Sequence, residues 1–145
     1  MNATVMTRLF ARLLLLPILL IGIALLIKGY GHSGGGFSGG LVAALGIILQ
    51  YAAFSREEAE RQLPFSAVSA PRLALGGLLM MLMVSFAPLV AGHAPLSHWP
   101  APGGEIIRLG TLELHTALVF ESGVFLAVMG FVVTALYTLA HGKTP

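Results

Sequence analysis

Apolar residues fall in four long blocks separated by polar or glycine-rich breaks. The first block is Leu13 to Ile27, with Arg8 and Arg12 before it and Lys28 after it. It is slightly short of the roughly 20 residues that a bilayer requires. Extending it back through Leu9 to Ala11 supplies the length, with Arg12 snorkelling to the interface. The basic start and Leu-rich core also fit a signal peptide, but no A-x-A cleavage site follows, and the block is read as a span. Pro17 lies inside it and predicts a bend of the kind that neighbouring membrane helices tolerate. The second block, Phe37 to Phe54, is interrupted only by Gln50. The third runs from Leu73 to Gly92 with Pro88 near its end, and the fourth from His115 to Leu139 with Glu121 inside it. The pattern predicts an all-α membrane protein, a single membrane domain over residues 1–145 with transmembrane helices at about 9–27, 37–54, 73–92 and 115–139.

Composition sharpens this reading. Charged residues make up 10% of the chain, against about a quarter in ordinary soluble domains. Hydrophobic residues reach 57% of 145 residues, more than a soluble fold of this size can hide from water. Lipid accepts such residues on every outward face. Cysteine is absent, which excludes disulfides and thiolate metal sites. The net charge of +2 is small and scattered, and gives no footprint for nucleic acid.

The basic residues also predict an orientation. Arg8, Arg12, Arg56, Arg61, Arg72 and Lys143, six of the eight, fall on one side of the four spans, and only Lys28 and Arg108 on the other. The positive-inside rule then makes both termini cytoplasmic, with Gly29 to Gly36 and His93 to Leu114 facing outward. The loop between the second and third spans begins Ser55-Arg56-Glu57-Glu58, a capping-box pattern. It reads either as a short interfacial helix ending before Pro64 or as a solvated charged loop. In the outer loop, Glu105 to Leu109 partly alternates, as a short strand would.

Two features carry possible chemistry. The first is Gly31-His32-Ser33-Gly34-Gly35-Gly36-Phe37-Ser38-Gly39-Gly40. Gly34, Gly36 and Gly39 match G-x-G-x-x-G, but that fingerprint needs a preceding strand in a βαβ unit, and here a membrane helix precedes it. Packing is the better account. Gly36, Gly40 and Ala44 recur every four residues, as do Gly35, Gly39 and Ala43, and such stripes let another helix approach closely. His32 sits beside the glycines on the outer side and titrates near neutral pH, as an ordinary solvated loop histidine also would.

The second feature is Glu121, roughly 9 Å into the fourth span. A charged carboxylate there costs at least ~2.5 kcal/mol. It must face protein or water, either as a proton carrier or cation-path residue or as a hydrogen-bonded group that holds helices together. Gly123 and Ala127, four apart, allow a neighbour to come close beside it. Glu113 lies about 80° round a helix from Glu121 and shares a broad face with it if the helix extends that far. His115 lies at the start of the span, and His93, His98 and His141 read as interfacial. No histidine pair has the i, i+4 spacing of a helical metal site, and with no Asp a Ser-His-Asp triad is impossible. Met80, Met81 and Met83 read as packing or lipid contact.

Taken together, two stretches resemble the MnhB family, the B-type component of Mrp-type multisubunit sodium/proton antiporters. Gly31 to Leu41 looks like that family's G-H-x-x-x-G-G-G-F-x-G-G motif, and Leu109 to Val124 resembles its second signature, a Gly-Glu-Ile segment leading into a Ser-Ala-Leu-Leu-Phe-Asp-x-Gly-Val-Tyr helix. The chain departs from the pattern in having Ser33 before Gly34 where Pro is frequent, Glu121 where Asp is common, and His115 where Ser is common. The resemblance covers nearly the whole chain. It implies a non-enzymatic membrane subunit of a complex that exchanges cytoplasmic Na+ for external H+. The chain would sit in the inner (cytoplasmic) cell membrane alongside A, C, D, E, F and G type subunits, with no cofactor and no metal site. Glu121, His32, Glu113 and His115 are then the candidates for an ion or proton pathway. A related structural subunit of a redox-driven complex, such as a membrane-bound hydrogenase, is the alternative.

Overall fold

The computed structural model describes residues 4–29, 35–63, 69–97, 107–109, 112–114 and 116–141. The four apolar blocks form long helices: α1 (Val5–Gly29), α2 (Gly35–Ala53), α4 (Ala70–Val90) and α5 (Thr116–His141). All four are long and apolar enough to cross a membrane. A short helix, α3 (Arg56–Gln62), joins α2 towards α4.

The helix ends follow local chemistry. Helix α1 starts at Val5, earlier than the apolar block, because the Thr4 hydroxyl accepts the Thr7 N–H at 3.3 Å and caps it. It continues through Pro17. Helix α4 starts at Ala70 with Pro71 in its first turn, where a missing N–H costs nothing. Ser55 caps α3 by accepting the Glu58 N–H at 3.5 Å, so the helical reading of that loop holds, and α3 ends before Pro64 as expected.

The long helices stand side by side in the order α1, α2, α5, α4. Helix α2 packs on α1 with one face and on α5 with another, and α5 carries α4 on its far side. The glycine stripes explain this row. A Cβ placed on Gly22 of α1 would lie 2.9 Å from the Gly39 carbonyl oxygen and 3.3 Å from the Ala43 Cβ. A Cβ on Gly40 would lie 2.6 Å from the Phe125 carbonyl oxygen of α5. The Gly35/Gly39/Ala43 stripe therefore meets α1, and the Gly36/Gly40/Ala44 stripe meets α5. The third interface is built the same way: Gly77 of α4 lies on Gly123 and Ala127, and Gly130 of α5 lies on Ala70 and Ala74. Lipid is as apolar as leucine, so close backbone contact rather than apolar burial holds such helices together.

The tightest side-chain packing gathers Ala43, Ala44, Ile47, Leu63, Ala70, Met129 and Val133. Beside it Gln50 is fully buried. Its Nε2 donates to the Ala11 carbonyl of α1 at 2.7 Å. Helix α3 is tied across this end of the row. Arg12 of α1 donates to Gln62 Oε1 at 3.3 Å and stacks over Phe54 at 5.5 Å. Arg56 of α3 lies over Tyr137 of α5 at 5.8 Å, and its hydrogen bond to Glu60 holds it above the usual guanidinium range. The Arg12 head thus reaches the polar end of the bundle, as snorkelling requires.

Outside the helices, β1 (Ile107–Leu109) and β2 (Leu112–Leu114) form a small antiparallel hairpin, Arg108 opposite Glu113. Only the second half of the strand expected over Glu105 to Leu109 falls within the described residues, as β1. The idea that Glu113 shares a helical face with Glu121 fails, because pairing with β1 holds residue 113 in extended backbone before α5 begins at Thr116.

Candidate functional site

Helix α2 opens on glycine. Its first residue in sequence order is Gly35, and Gly34 before it has no side chain with which to cap. The first four N–H groups of any helix lack intrahelical acceptors. One of them finds its acceptor on another helix: the Gly36 N–H donates to Oε2 of Glu121 at 2.6 Å. The carboxylate comes from the second turn of α5, 85 residues along the chain. Glu121 is half-buried between the helices. The bond has the short length expected of a charged acceptor, and the positive end of the α2 dipole adds to it.

The contact depends on glycine. A Cβ on Gly36 would collide with the Glu121 backbone carbonyl and lie 2.6 Å from its Oε2. One turn on, Gly40 lets the Phe125 backbone approach α2 equally closely. On the other side a Cβ on Gly35 would lie 2.6 Å from the Gly29 Cα and 2.9 Å from the Leu25 carbonyl oxygen of α1. The first turn of α2 is thus wedged between the end of α1 and the start of α5, with Glu121 as its cap. Ser122, next in sequence, donates its hydroxyl to the Leu118 carbonyl at 2.8 Å.

The structure brings together Gly35, Gly36, Gly39, Gly40 and Glu121. It sends Gly123 and Ala127 to the opposite side of α5, against Gly77 of α4. Glu113 lies in β2, before α5 begins, and so is not on that helix. His32 and His115 lie outside the described residues. Among the described residues no basic group lies within ion-pair distance of Glu121, the two ion pairs being Arg8 with Glu58 and Arg56 with Glu60. Nor does any group of three or more His or Glu side chains gather as metal ligands among them. Sequence reasoning passed over Gln50, seen only as an interruption, although a lone amide in an apolar block is itself a signal of burial against protein. It also passed over Gly22, Gly77 and Gly130, isolated glycines whose partners lie on other helices.

The chain has relatives in both sequence and fold. The chain is 32% identical over 124 residues to the B-type subunit of a Na+/H+ antiporter from Alkalihalophilus pseudofirmus, covering 86% of this chain and 83% of that protein. It is 31% identical over 127 residues to a putative antiporter subunit, mnhB2, of Staphylococcus saprophyticus, covering 88% and 87%. Among solved structures it matches a chain of the Mrp complex from Dietzia sp. with a TM-score of 0.71 and 29% identity. That match covers 93% of this chain but only 14% of the Dietzia chain, so the fold seen here is a small part of a much longer polypeptide there. The family described as "Domain related to MnhB subunit of Na+/H+ antiporter" matches residues 6–134, and with that span and these relatives the chain belongs to the MnhB family.

Proposed function

We propose that this chain is the B-type membrane subunit of a multisubunit Na+/H+ antiporter and contributes to its ion-translocating membrane module. The observation that carries the reading is the Gly36–Glu121 hydrogen bond. It joins the glycine motif and the acidic helix, the two stretches that carry the family resemblance, into one site. An intramembrane carboxylate is costly and by default marks a pathway. Here it stands at a tight junction of helices with a backbone partner of its own. The antiporter reading is favoured over a redox-driven complex by the names of the relatives and by the Mrp complex to which the matched chain belongs.

The other antiporter subunits, of A, C, D, E, F and G type, are the partners. The broad apolar surfaces left on α1 and α4 supply faces for lipid and for those subunits. The chain acts as a transporter component, not as an enzyme. Its bacterial relatives point to the inner cell membrane. The basic residues around α3 and before α1 support cytoplasmic termini and an outward-facing hairpin.

The test is antiport in vesicles carrying the native complex. A complex lacking this chain should lose Na+-driven collapse of an imposed pH gradient, and restoring the chain should restore it. A complex that transports equally well without the chain would refute the proposal.

A further inference from the structure

We propose that the crease between α4 and α5 binds an acyl chain of an anionic membrane phospholipid, with the lipid phosphate held by Arg72. The crease follows from the way the two helices meet. Their backbones come together at Gly77 beside Ala127 and at Gly130 beside Ala74. Ala74 and Ala127 therefore form the floor of an open groove of about 390 Å³. Along its rims stand Leu75, Leu78 and Phe131, exposed by 58%, 46% and 68%. Thr134, the polar residue of the lining, donates its hydroxyl to the Gly130 carbonyl at 2.6 Å, which leaves the groove wall apolar.

This shape suits a lipid chain rather than a helix. The α1/α2, α2/α5 and α4/α5 interfaces each use glycine to bring backbones together. A partner helix arriving at the groove would meet the exposed Leu75, Leu78 and Phe131 side chains and be held away from the floor. A flexible acyl chain lies between such side chains and needs no flat face.

Depth and charge select the lipid. From Pro71 to Leu78 the groove runs about 10 Å along α4. That is less than half of a hydrocarbon core roughly 30 Å thick, so the groove lies within one leaflet. Its Pro71 end is on the side where Arg56 of α3 lies over Tyr137 of α5, the polar end of the bundle. Arg72 is exposed in the first turn of α4, next to Pro71 and about 60° round the helix from Leu75. The ion pairs among the described residues join others, Arg8 with Glu58 and Arg56 with Glu60. Residues 64–68 before α4 and 142–145 after α5 include no Asp or Glu. Arg72 thus sets a positive charge at headgroup depth, at the mouth of an apolar groove. A guanidinium matches phosphate oxygens with two parallel hydrogen bonds. Basic pockets between membrane helices hold anionic headgroups in this way.

The experiment uses the whole complex in vesicles of phosphatidylethanolamine and phosphatidylglycerol, with a trace of phosphatidylglycerol bearing a photoactivatable acyl chain. After irradiation, label should concentrate on peptides holding Leu75, Leu78 and Phe131. It should fall about fivefold or more in Arg72→Gln, or when phosphatidylethanolamine carries the photoactivatable chain instead. Groove labelling that is absent, equal for the two lipids or unchanged in Arg72→Gln overturns the proposal. A benzophenone attached to Leu78→Cys tests for the rival occupant. Joining chiefly to lipid supports the proposal, and joining chiefly to another subunit overturns it. If Arg72→Gln yields no complex, the comparison of the two lipids on the parent decides alone. Labelling is read without transport, so a failure of the antiporter reading leaves this result intact.

Discussion

Gly77 and Gly123 face each other across the α4/α5 interface, and neither has room for a side chain. A Cβ on Gly77 would lie 2.5 Å from the Gly123 carbonyl oxygen, and one on Gly123 would lie 2.9 Å from the Gly77 carbonyl oxygen. Gly76, one residue away, has nothing within 4 Å of an added Cβ. Gly77→Ala should therefore destabilise the chain by about 1–3 kcal/mol, as overpacking does. Gly76→Ala should leave stability unchanged or raise it slightly, since alanine is the better helix former. Thermal denaturation of the two variants checks the contrast, and equal melting temperatures would refute the interface.

At Gly36 the same steric logic reaches the candidate site. Gly36→Ala places a methyl group 2.6 Å from Oε2 of Glu121 and against its backbone carbonyl. It should push α2 from α5 and break the cap. Loss of a cap costs about 0.5–2 kcal/mol. Amide hydrogen exchange in the first turn of α2 should accelerate in Gly36→Ala, while exchange around Ile47 stays slow. Unchanged protection of the first turn would show that Glu121 does not cap it.

Gln50 makes a different prediction. Its Nε2 serves the Ala11 carbonyl, but its buried Oε1 has no hydrogen-bond partner among the described residues. A lost neutral hydrogen bond and a removed orphan acceptor are of similar size, each on the order of 1 kcal/mol. Gln50→Leu should therefore alter stability by less than about 1 kcal/mol. Gln50→Glu puts an anion beside the Ala11 carbonyl and should cost at least ~2.5 kcal/mol. Recovery of folded protein in detergent separates the two, and a Leu variant as damaged as the Glu variant would show that the amide is essential.

The orientation can be tested directly because the chain has no cysteine. Ser97 and Glu57 are both exposed, beyond opposite ends of α4. In intact cells an impermeant thiol reagent should label Ser97→Cys from outside. Glu57→Cys should react only after the membrane is opened. The reverse pattern would invert the topology and place Glu121 near the cytoplasmic surface.

The number of long helices, their approximate ends and the capping-box pattern at Ser55 were legible in the sequence because each is a local property. A run such as Leu73 to Val90 is apolar enough to enter lipid whatever its neighbours are, and Ser55 reaches Glu58 within one turn. The glycine stripes were legible for the same reason: residues four apart share a face in any helix. What the stripes touch was not. In lipid the surface that meets another helix is as apolar as the surface that meets an acyl chain, so the pattern does not name the partner. Only the tertiary structure decided that α5 lies between α2 and α4, that Gly123 turns to Gly77, and that Gln50 reaches Ala11. It alone set Glu121 on the Gly36 amide, because that contact joins positions 85 residues apart through backbones that approach closely only where side chains are missing.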